Sequence, residues 1–259
     1  MKTFFILTIV QTISLFSYGF ILPLDLILEK NVAINGTRVV SVEQDVYFKD
    51  GSQELAIHES WLIEGDKNLK LTATGLGELK DAVRIVALYN GKNRTTVVGK
   101  NKVTDVVGRD FFERYLAIRS LESFKNYLNE LTISSNVRLA RSNGAISFAI
   151  GEPSSATLLK PQAWFKQDTF QLSKIRFPSE AEISFSDYLV TNNQLNYPKT
   201  KILDWAGKSV VIKVRSVNDR VKVSSSVFYA QNLDSPSELL ISNKNSAGLM
   251  VEEFYKRFR

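Results

Sequence analysis

Apolar and polar side chains alternate with a period of two over most of the chain after residue 37. In the first such segment, Val40, Val42, Val46 and Phe48 share one side, and polar side chains occupy the other. This period is that of a β-strand with one buried face. The segment is therefore predicted to be a strand whose apolar side faces a core.

Two turn sequences divide residues 37–74 into three such segments. DGS at 50–52 and EGDK at 64–67 are rich in the residues that tight turns require. The sequence therefore predicts three consecutive antiparallel strands. In the second strand a single acid, Glu59, interrupts the apolar side.

The same pattern recurs along the chain and is broken by three helical stretches. Apolar residues spaced by three or four positions predict helices within 22–31, 110–131 and 247–258. Further strands are predicted at 83–90, 94–100, 137–141, 145–150, 161–167, 169–177 and 181–187, in a hairpin through Ala206 and Gly207, and at 221–229. A sheet of ten or eleven strands must curl to bury one face. The predicted fold class is mainly β (α+β), with a strongly curved antiparallel sheet.

The first nineteen residues have the three parts of an export signal. Lys2 precedes an apolar run over 4–16, and the small residues Ser17 and Gly19 follow. The run is shorter than the roughly 20 residues that span a bilayer. We expect a signal peptide over 1–19 that is cleaved after Gly19, with an uncleaved anchor as the alternative.

The composition limits which cellular compartment and which classes of partner are expected. The 259 residues include no cysteine, which rules out both disulfides and a lipid-modified N-terminal cysteine. An exported protein without disulfides is typical of a Gram-negative periplasm. The net charge of +6 is spread along the chain, so no nucleic-acid partner is expected, and at most a weak preference for anionic lipid headgroups.

Candidate chemistry is sparse. The single histidine, His58, lies on the polar side of its strand and is interpreted as a surface residue. No metal signature, nucleophile elbow, P-loop or complete G-x-G-x-x-G occurs. The neighbouring acids Glu43 and Asp45 are interpreted as solvated charge. The sequence predicts no cofactor, no metal and no enzymatic activity.

Two longer stretches carry a family resemblance. They are VVSVEQDVYFKDGSQELAIHESWLIEGDKNLKLTATG at 39–75 and YPKTKILDWAGKSVVIKVRSVNDRVKVSSSVF at 197–228. With the signal and the first helix, they resemble the periplasmic lipoprotein-carrier superfamily of LolA/LolB-like proteins. The resemblance covers about a quarter of the chain.

The resemblance implies an architecture and a ligand class. A single half-barrel domain would span 20–259 as an incomplete barrel, with short helices plugging its open side. Its apolar interior would receive the acyl chains of a lipidated protein or a lipid, and partners could include inner- or outer-membrane transport components. Arg38 is the positional candidate for the family arginine that holds the helical lid closed. The absence of an acylated cysteine disfavours a membrane-anchored acceptor.

The alternating pattern supplies the candidate ligand-binding residues: Val40, Val42, Val46, Leu55, Ile57, Trp61, Leu69, Leu71, Ile183, Phe185, Val210 and Ile212. The leading hypothesis is a periplasmic carrier or sensor that binds hydrophobic ligands without catalysis. The alternative is a non-catalytic envelope interaction or structural module with a self-filled core. An enclosed void would favour the first, and a tightly packed face the second.

Overall fold

The computed structural model describes residues 21–36, 38–142, 144–241 and 245–259. The predicted signal peptide, 1–19, lies outside the described residues. Within them, fourteen strands form one antiparallel sheet. The sheet is open and curled rather than closed, so the predicted incomplete barrel is confirmed.

The strands follow one another closely along the chain. They are β1 Val40–Asp50, β2 Gln53–Glu64, β3 Asn68–Gly75, β4 Val83–Asn90, β5 Asn93–Val98, β6 Asn101–Val106, β7 Val137–Ser142, β8 Ala145–Ile150, β9 Gln162–Lys166, β10 Leu172–Arg176, β11 Glu182–Val190, β12 Asn196–Trp205, β13 Lys208–Asn218 and β14 Glu238–Leu239. The helices are α1 Leu24–Ala33, α2 Glu113–Ala117, α3 Leu121–Glu130 and α4 Ser246–Arg257.

Two meanders make up the sheet. The strand order is β6-β5-β4-β3-β2-β1-β13-β12-β11-β10-β9-β8-β7, and β14 pairs with β4 beside this path. Within each meander, sequence neighbours are also spatial neighbours. The pairing of β1 with β13 joins the two halves, and it is interrupted by a register shift between Glu43 and Gln44. Such an irregularity increases local bending, which suits a curled sheet.

Glycine is required at the end of β3. A Cβ atom built on Gly75 would lie 1.8 Å from the carbonyl oxygen of Leu79, in the short helical turn Gly77–Leu79 that follows. No side chain fits at that distance. The turn can therefore fold back against the sheet only because residue 75 has none.

The helices begin where the sequence provides caps. The Ser120 hydroxyl accepts a hydrogen bond from the Ser123 amide at the start of α3. The Asn245 side chain accepts one from the Gly248 amide at the start of α4. Both bonds satisfy amides that the first turn of a helix leaves without partners.

The prediction of a strand at 221–229 is wrong. That segment contains a short helical turn, Ser225–Phe228, whose preceding Ser224 side chain accepts a hydrogen bond from Ser226. The sequence also did not predict β6 or β14. All six residues of β6 are exposed, so it has no apolar face to produce an alternating pattern. β14 is only two residues long.

Candidate functional site

The twelve candidate residues all lie on the inner face of the sheet, which we define as the face covered by the helices. Their exposed fractions range from 0% to 6%, and all twelve belong to one hydrophobic core cluster. Strand register brings them together: Val46 of β1 pairs with Ile57 of β2 and with Ile212 of β13. The sequence thus identified one continuous apolar surface, while ligand contact with it stays a prediction.

Helix α4 covers the inner face beside β1 and β2. The Phe254 ring lies 5.2 Å from that of Phe48, and the Phe258 ring lies 5.0 Å from that of Trp205, both edge to face. Such pairs add about 0.5–1.5 kcal/mol to the burial of apolar area. The Trp205 Nε1 also donates to Glu253 of α4 at 2.8 Å. The C-terminal helix is therefore held by both apolar and polar contacts.

Helices α1, α2 and α3 cover the other half of the inner face. Tyr115 of α2 packs 5.7 Å from Phe185, and Phe124 of α3 packs 5.8 Å from Phe165. The Tyr115 hydroxyl donates to the Asn31 side chain of α1 at 3.1 Å. Two groups of short helices therefore share the open side of the half-barrel.

Side chains of the protein itself fill the space against the twelve residues. Of the twelve, Val40 and Leu55 line clefts formed by the described residues. A cleft of about 390 Å³ touches Val40, and one of about 70 Å³ touches Leu55. Any ligand of the inner face must therefore replace helical side chains there.

A buried ionic cluster lies where the two helical groups meet. It consists of Gln44, Glu59, Glu113, Lys201 and Arg259, each at most 2% exposed. Lys201 Nζ lies 3.0 Å from Glu113 Oε1. The Arg259 guanidinium forms a two-pronged pair with Glu59, with Nε to Oε1 at 2.8 Å and Nη2 to Oε2 at 2.9 Å. Two carboxylates and two cations thus balance one another.

Gln44 connects the two ion pairs. Its Nε2 donates to Glu59 at 2.7 Å, and its Oε1 accepts from Lys201 at 3.0 Å. Gln44, Glu59 and Lys201 lie on β1, β2 and β12, whereas Glu113 begins α2 and Arg259 follows α4. The buried ionic cluster therefore ties both helical groups to the sheet.

The pKa directions follow from burial and from these partners. Burial raises the pKa of Glu59, but the charge of Arg259, with hydrogen bonds from Arg259, Gln44 and Trp61, outweighs burial and holds it below the ordinary value. Burial lowers the pKa of Lys201, and Glu113 only partly opposes this. The surrounding protein therefore stabilises the charged form of Glu59, whereas it disfavours the charged form of Lys201.

Two members of the cluster interrupt apolar patterns in the sequence. Glu59 was visible as the acid that interrupts the apolar side of its strand, and the structure shows that it faces inward. Lys201 precedes Leu203 and Trp205 at spacings of two on the same face of β12, so it also interrupts an apolar series. Arg259 lies beyond a predicted helix, and no periodicity pointed to it.

His58 lies on the outer face of the sheet and has two acidic neighbours. Its Nδ1 is 2.9 Å from Asp45 Oδ1, and its Nε2 is 2.9 Å from Glu43 Oε2. The side chain is 28% exposed, whereas that of Asp45 is 3% exposed and also pairs with Arg215. Asp45 is therefore a buried partner in a charged network rather than a solvated acid, which corrects that part of the interpretation.

Arg38 does not reach the helices that the buried ionic cluster ties down. It is exposed and lines two clefts at one end of the sheet. Lys201 and Arg259 are the cations that bind inward-facing acids beneath the helices. Arg38, the positional candidate for the arginine that closes the lid, therefore lies exposed at one end of the sheet.

Two features are absent from the described ranges. Residues 21–36, 38–142, 144–241 and 245–259 hold no group of three His, Cys, Asp or Glu side chains arranged to ligate a metal ion. Within the same ranges, no helix combines the length and the hydropathy needed to cross a membrane.

Comparison with known proteins bears on the fold. No protein-family model matches the sequence, and no curated protein matches it. The structure is similar to a LolA superfamily protein from Nitrosomonas europaea, at 14% identity and a TM-score of 0.57, covering 80% of this chain and 98% of that one.

Two further solved structures share the arrangement. A domain of a proposed outer membrane lipoprotein-sorting protein from Vibrio parahaemolyticus has 12% identity and a TM-score of 0.53, covering 80% of this chain and 99% of that one. A DUF1329 family protein from Desulfovibrio piger has 10% identity and a TM-score of 0.50, covering 82% and 99%. At these identities the likeness establishes architecture. The chain has a LolA-like fold: a curled antiparallel half-barrel whose open side is plugged by short helices.

Proposed function

We propose that this protein is a periplasmic carrier or sensor that binds the acyl chains of lipidated proteins or other hydrophobic ligands, without catalysis. One observation carries the proposal. The continuous apolar inner face is covered by four helices of at most 12 residues, rather than by a second sheet. Short helices held through side chains can separate from a sheet without breaking its strand pairing. Membrane transport components at either end of such a route are part of the proposal.

Ligand entry would be an exchange of apolar contacts. Each buried methylene contributes about 0.8 kcal/mol, so a 16-carbon chain gains roughly 12 kcal/mol on leaving water. Part of this gain is offset because rings such as Phe254 and Phe258 must give up their places. The net affinity is then the small difference between the free energy gained by burying the ligand and the free energy lost by exposing the displaced side chains.

The buried ionic cluster would set the cost of opening. Separation of α2 removes Glu113 from Lys201, and separation of α4 removes Arg259 from Glu59. Each step leaves a charge that the sheet alone does not neutralise, until water reaches it. The cluster therefore favours the closed, empty form and limits entry to ligands with enough apolar area.

Substituting Phe254→Leu is expected to tighten binding of a fluorescent C16 acyl probe by about fourfold. The smaller side chain leaves room for about one more methylene, worth roughly 0.8 kcal/mol. The substitution keeps an apolar residue but removes the ring contact with Phe48, so we expect a stability cost of about 1–3 kcal/mol. Fluorescence titration of both proteins, folded by circular dichroism, measures the difference.

The matched control is Leu233→Val. Leu233 is buried in a separate cluster with Val86, Leu88 and Val97 on the outer face of the sheet. A similar loss of volume there should leave probe affinity unchanged. If the wild type and Phe254→Leu both ignore the probe, the carrier proposal fails.

Export is the second part of the proposal, and it rests on the tripartite pattern of residues 1–19. When the full chain is expressed in a Gram-negative host, we expect the mature protein in the periplasmic fraction to begin at Phe20. Amino-terminal sequencing and intact mass measure this directly. A chain that keeps residues 1–19 in the membrane fraction would establish the uncleaved anchor instead.

One observation favours the alternative, an envelope interaction module with a self-filled core. All twelve candidate residues are covered, with aromatic rings of α2, α3 and α4 packed against the inner face. A module of this kind would bind no acyl probe and would carry no co-purified lipid in native mass spectrometry. The same titration therefore separates the two functions.

A further inference from the structure

One end of the half-barrel carries a cleft with three exposed cations. We call it the rim cleft; it measures about 630 Å³ and is lined by Arg38, Val39, Glu64, Gly65, Asp219, Arg220, Val221 and Lys222. Arg38, Arg220 and Lys222 are all exposed. Within the part of the chain that the structure describes, none of the three forms a close ion pair. The hydrogen bond from Thr191 and the charge of Arg220 both lower the pKa of Asp219.

The acids of the rim cleft are less accessible than its cations. Asp219 is only 8% exposed and accepts a hydrogen bond from the Thr191 hydroxyl. Glu64 is half-buried and accepts from the Asn68 side chain at 3.1 Å. Three cations against two withdrawn acids give the mouth of the cleft a net positive charge. An anionic group is the complementary ligand.

The rim cleft continues toward the apolar inner face. The adjoining cleft of about 390 Å³ shares Arg38 and Asp219 with it, and its wall includes the apolar residues Ala33, Val40 and Leu195. Val40 is one of the twelve residues of the inner face. The adjoining cleft is also lined by the polar residues Asn192, Asn193 and Gln194. Because the two clefts share Arg38 and Asp219, cationic and apolar side chains lie close together at this end of the sheet, as an amphiphile with an anionic head would require.

We infer that the rim cleft binds the anionic head, a phosphate or a carboxylate, of an amphiphile whose acyl chain enters beside Val40. This inference rests on the proposed carrier function and specifies its ligand class. Arg38, Arg220 and Lys222 are the head-binding residues. A neutral amphiphile of the same chain length binds less tightly, since it gains nothing from the three cations.

The test compares a fluorescent C16 fatty acid with its methyl ester. The triple variant R38Q/R220Q/K222Q is expected to bind the acid about tenfold or more weakly at low salt, since each exposed ion pair contributes up to about a factor of five. Ester binding should not change. In wild type, the preference for the acid should shrink as salt rises.

The matched control is K49Q/K80Q/K100Q, which removes the same charge from three exposed lysines outside the described clefts. It should change acid binding less than twofold. Equal binding of acid and ester, or an unaffected triple variant, overturns the head site while leaving the carrier standing. Failure of both probes to bind wild type counts against the carrier itself.

A third arm separates a lipid head from a free anion. Calorimetric titration with inorganic phosphate should show much weaker binding than the acid probe. Phosphate that binds as tightly as the acyl probe, and no longer binds the triple variant, would assign the cleft to a free anion and overturn the amphiphile assignment.

Discussion

Replacing Arg259 with methionine is expected to lower the free energy of unfolding by about 3–5 kcal/mol, because Glu59 is left charged and buried without its cation. For a domain of this size, that loss lowers Tm by roughly 6–20 °C. Glu59 would keep hydrogen bonds from Gln44, Trp61 and Tyr255, which do not replace the charge. Urea unfolding followed by tryptophan fluorescence measures the change.

A second substitution tests the cause. Adding Glu59→Gln to Arg259→Met removes the orphaned charge and keeps an oxygen that can accept hydrogen bonds, so at least half of the lost stability should return. Lys125→Met is the control, since its pair with Asp25 is exposed on both sides and should cost less than about 1 kcal/mol. A double variant less stable than Arg259→Met would contradict this account.

The acid range offers an independent readout for Glu59. Its folded-state pKa is lowered, so its contribution to stability is complete above the ordinary pKa and is lost as pH falls toward the folded value. Glu59→Gln should therefore flatten the decline in unfolding free energy below the ordinary glutamate pKa of 4.5.

Lys201→Met is expected to be similarly costly at pH 7, by about 3–5 kcal/mol, because Glu113 loses its nearest cation. Arg259 Nη2 lies 3.6 Å from Glu113, too far to replace the contact at 3.0 Å. Adding Glu113→Gln should restore much of the stability. Failure of the second substitution to restore any would show that Lys201 acts through packing rather than charge.

The lowered pKa of Lys201 also predicts how stability changes at alkaline pH. Burial lowers its folded-state pKa below the ordinary 10.5, so the unfolded chain binds more protons between those two values. Stability contributed by this group therefore rises with pH through that window. The difference in unfolding free energy between wild type and Lys201→Met should grow as pH rises toward the ordinary lysine pKa of 10.5. A constant difference would contradict the lowered pKa.

The sequence predicted the sheet well because strand alternation is a local signal. Val40, Val42 and Val46 alternate with polar residues, and any strand with one dry face must show that period. β6 was not predicted because an edge strand with all six residues exposed has no buried apolar face. The segment 221–229 was wrongly predicted as a strand because its valines have the spacing of one. Among the described residues, no neighbouring strand pairs with it.

The buried ionic cluster could be foreseen only in part. Glu59 broke an otherwise apolar series, which marked it as an inward-facing acid or an irregularity. Its partner Arg259 is 200 residues away in sequence, and no local pattern links the two. Which cation meets which acid depends on how α4 crosses the inner face, and that is decided by tertiary packing.

The long-range pairing at the centre of the sheet constrains the order of folding. Contacts between β1 and β13 include Asp45 and Arg215, 170 residues apart, whereas the other neighbouring strands along the path are consecutive in the chain. If the chain crosses a membrane from its N-terminus, β1 emerges with one edge unpaired until nearly all of the sheet has followed. Unpaired edges invite association with other chains. Holding factors that shield extended segments during secretion should therefore matter more for this protein than for a simple meander.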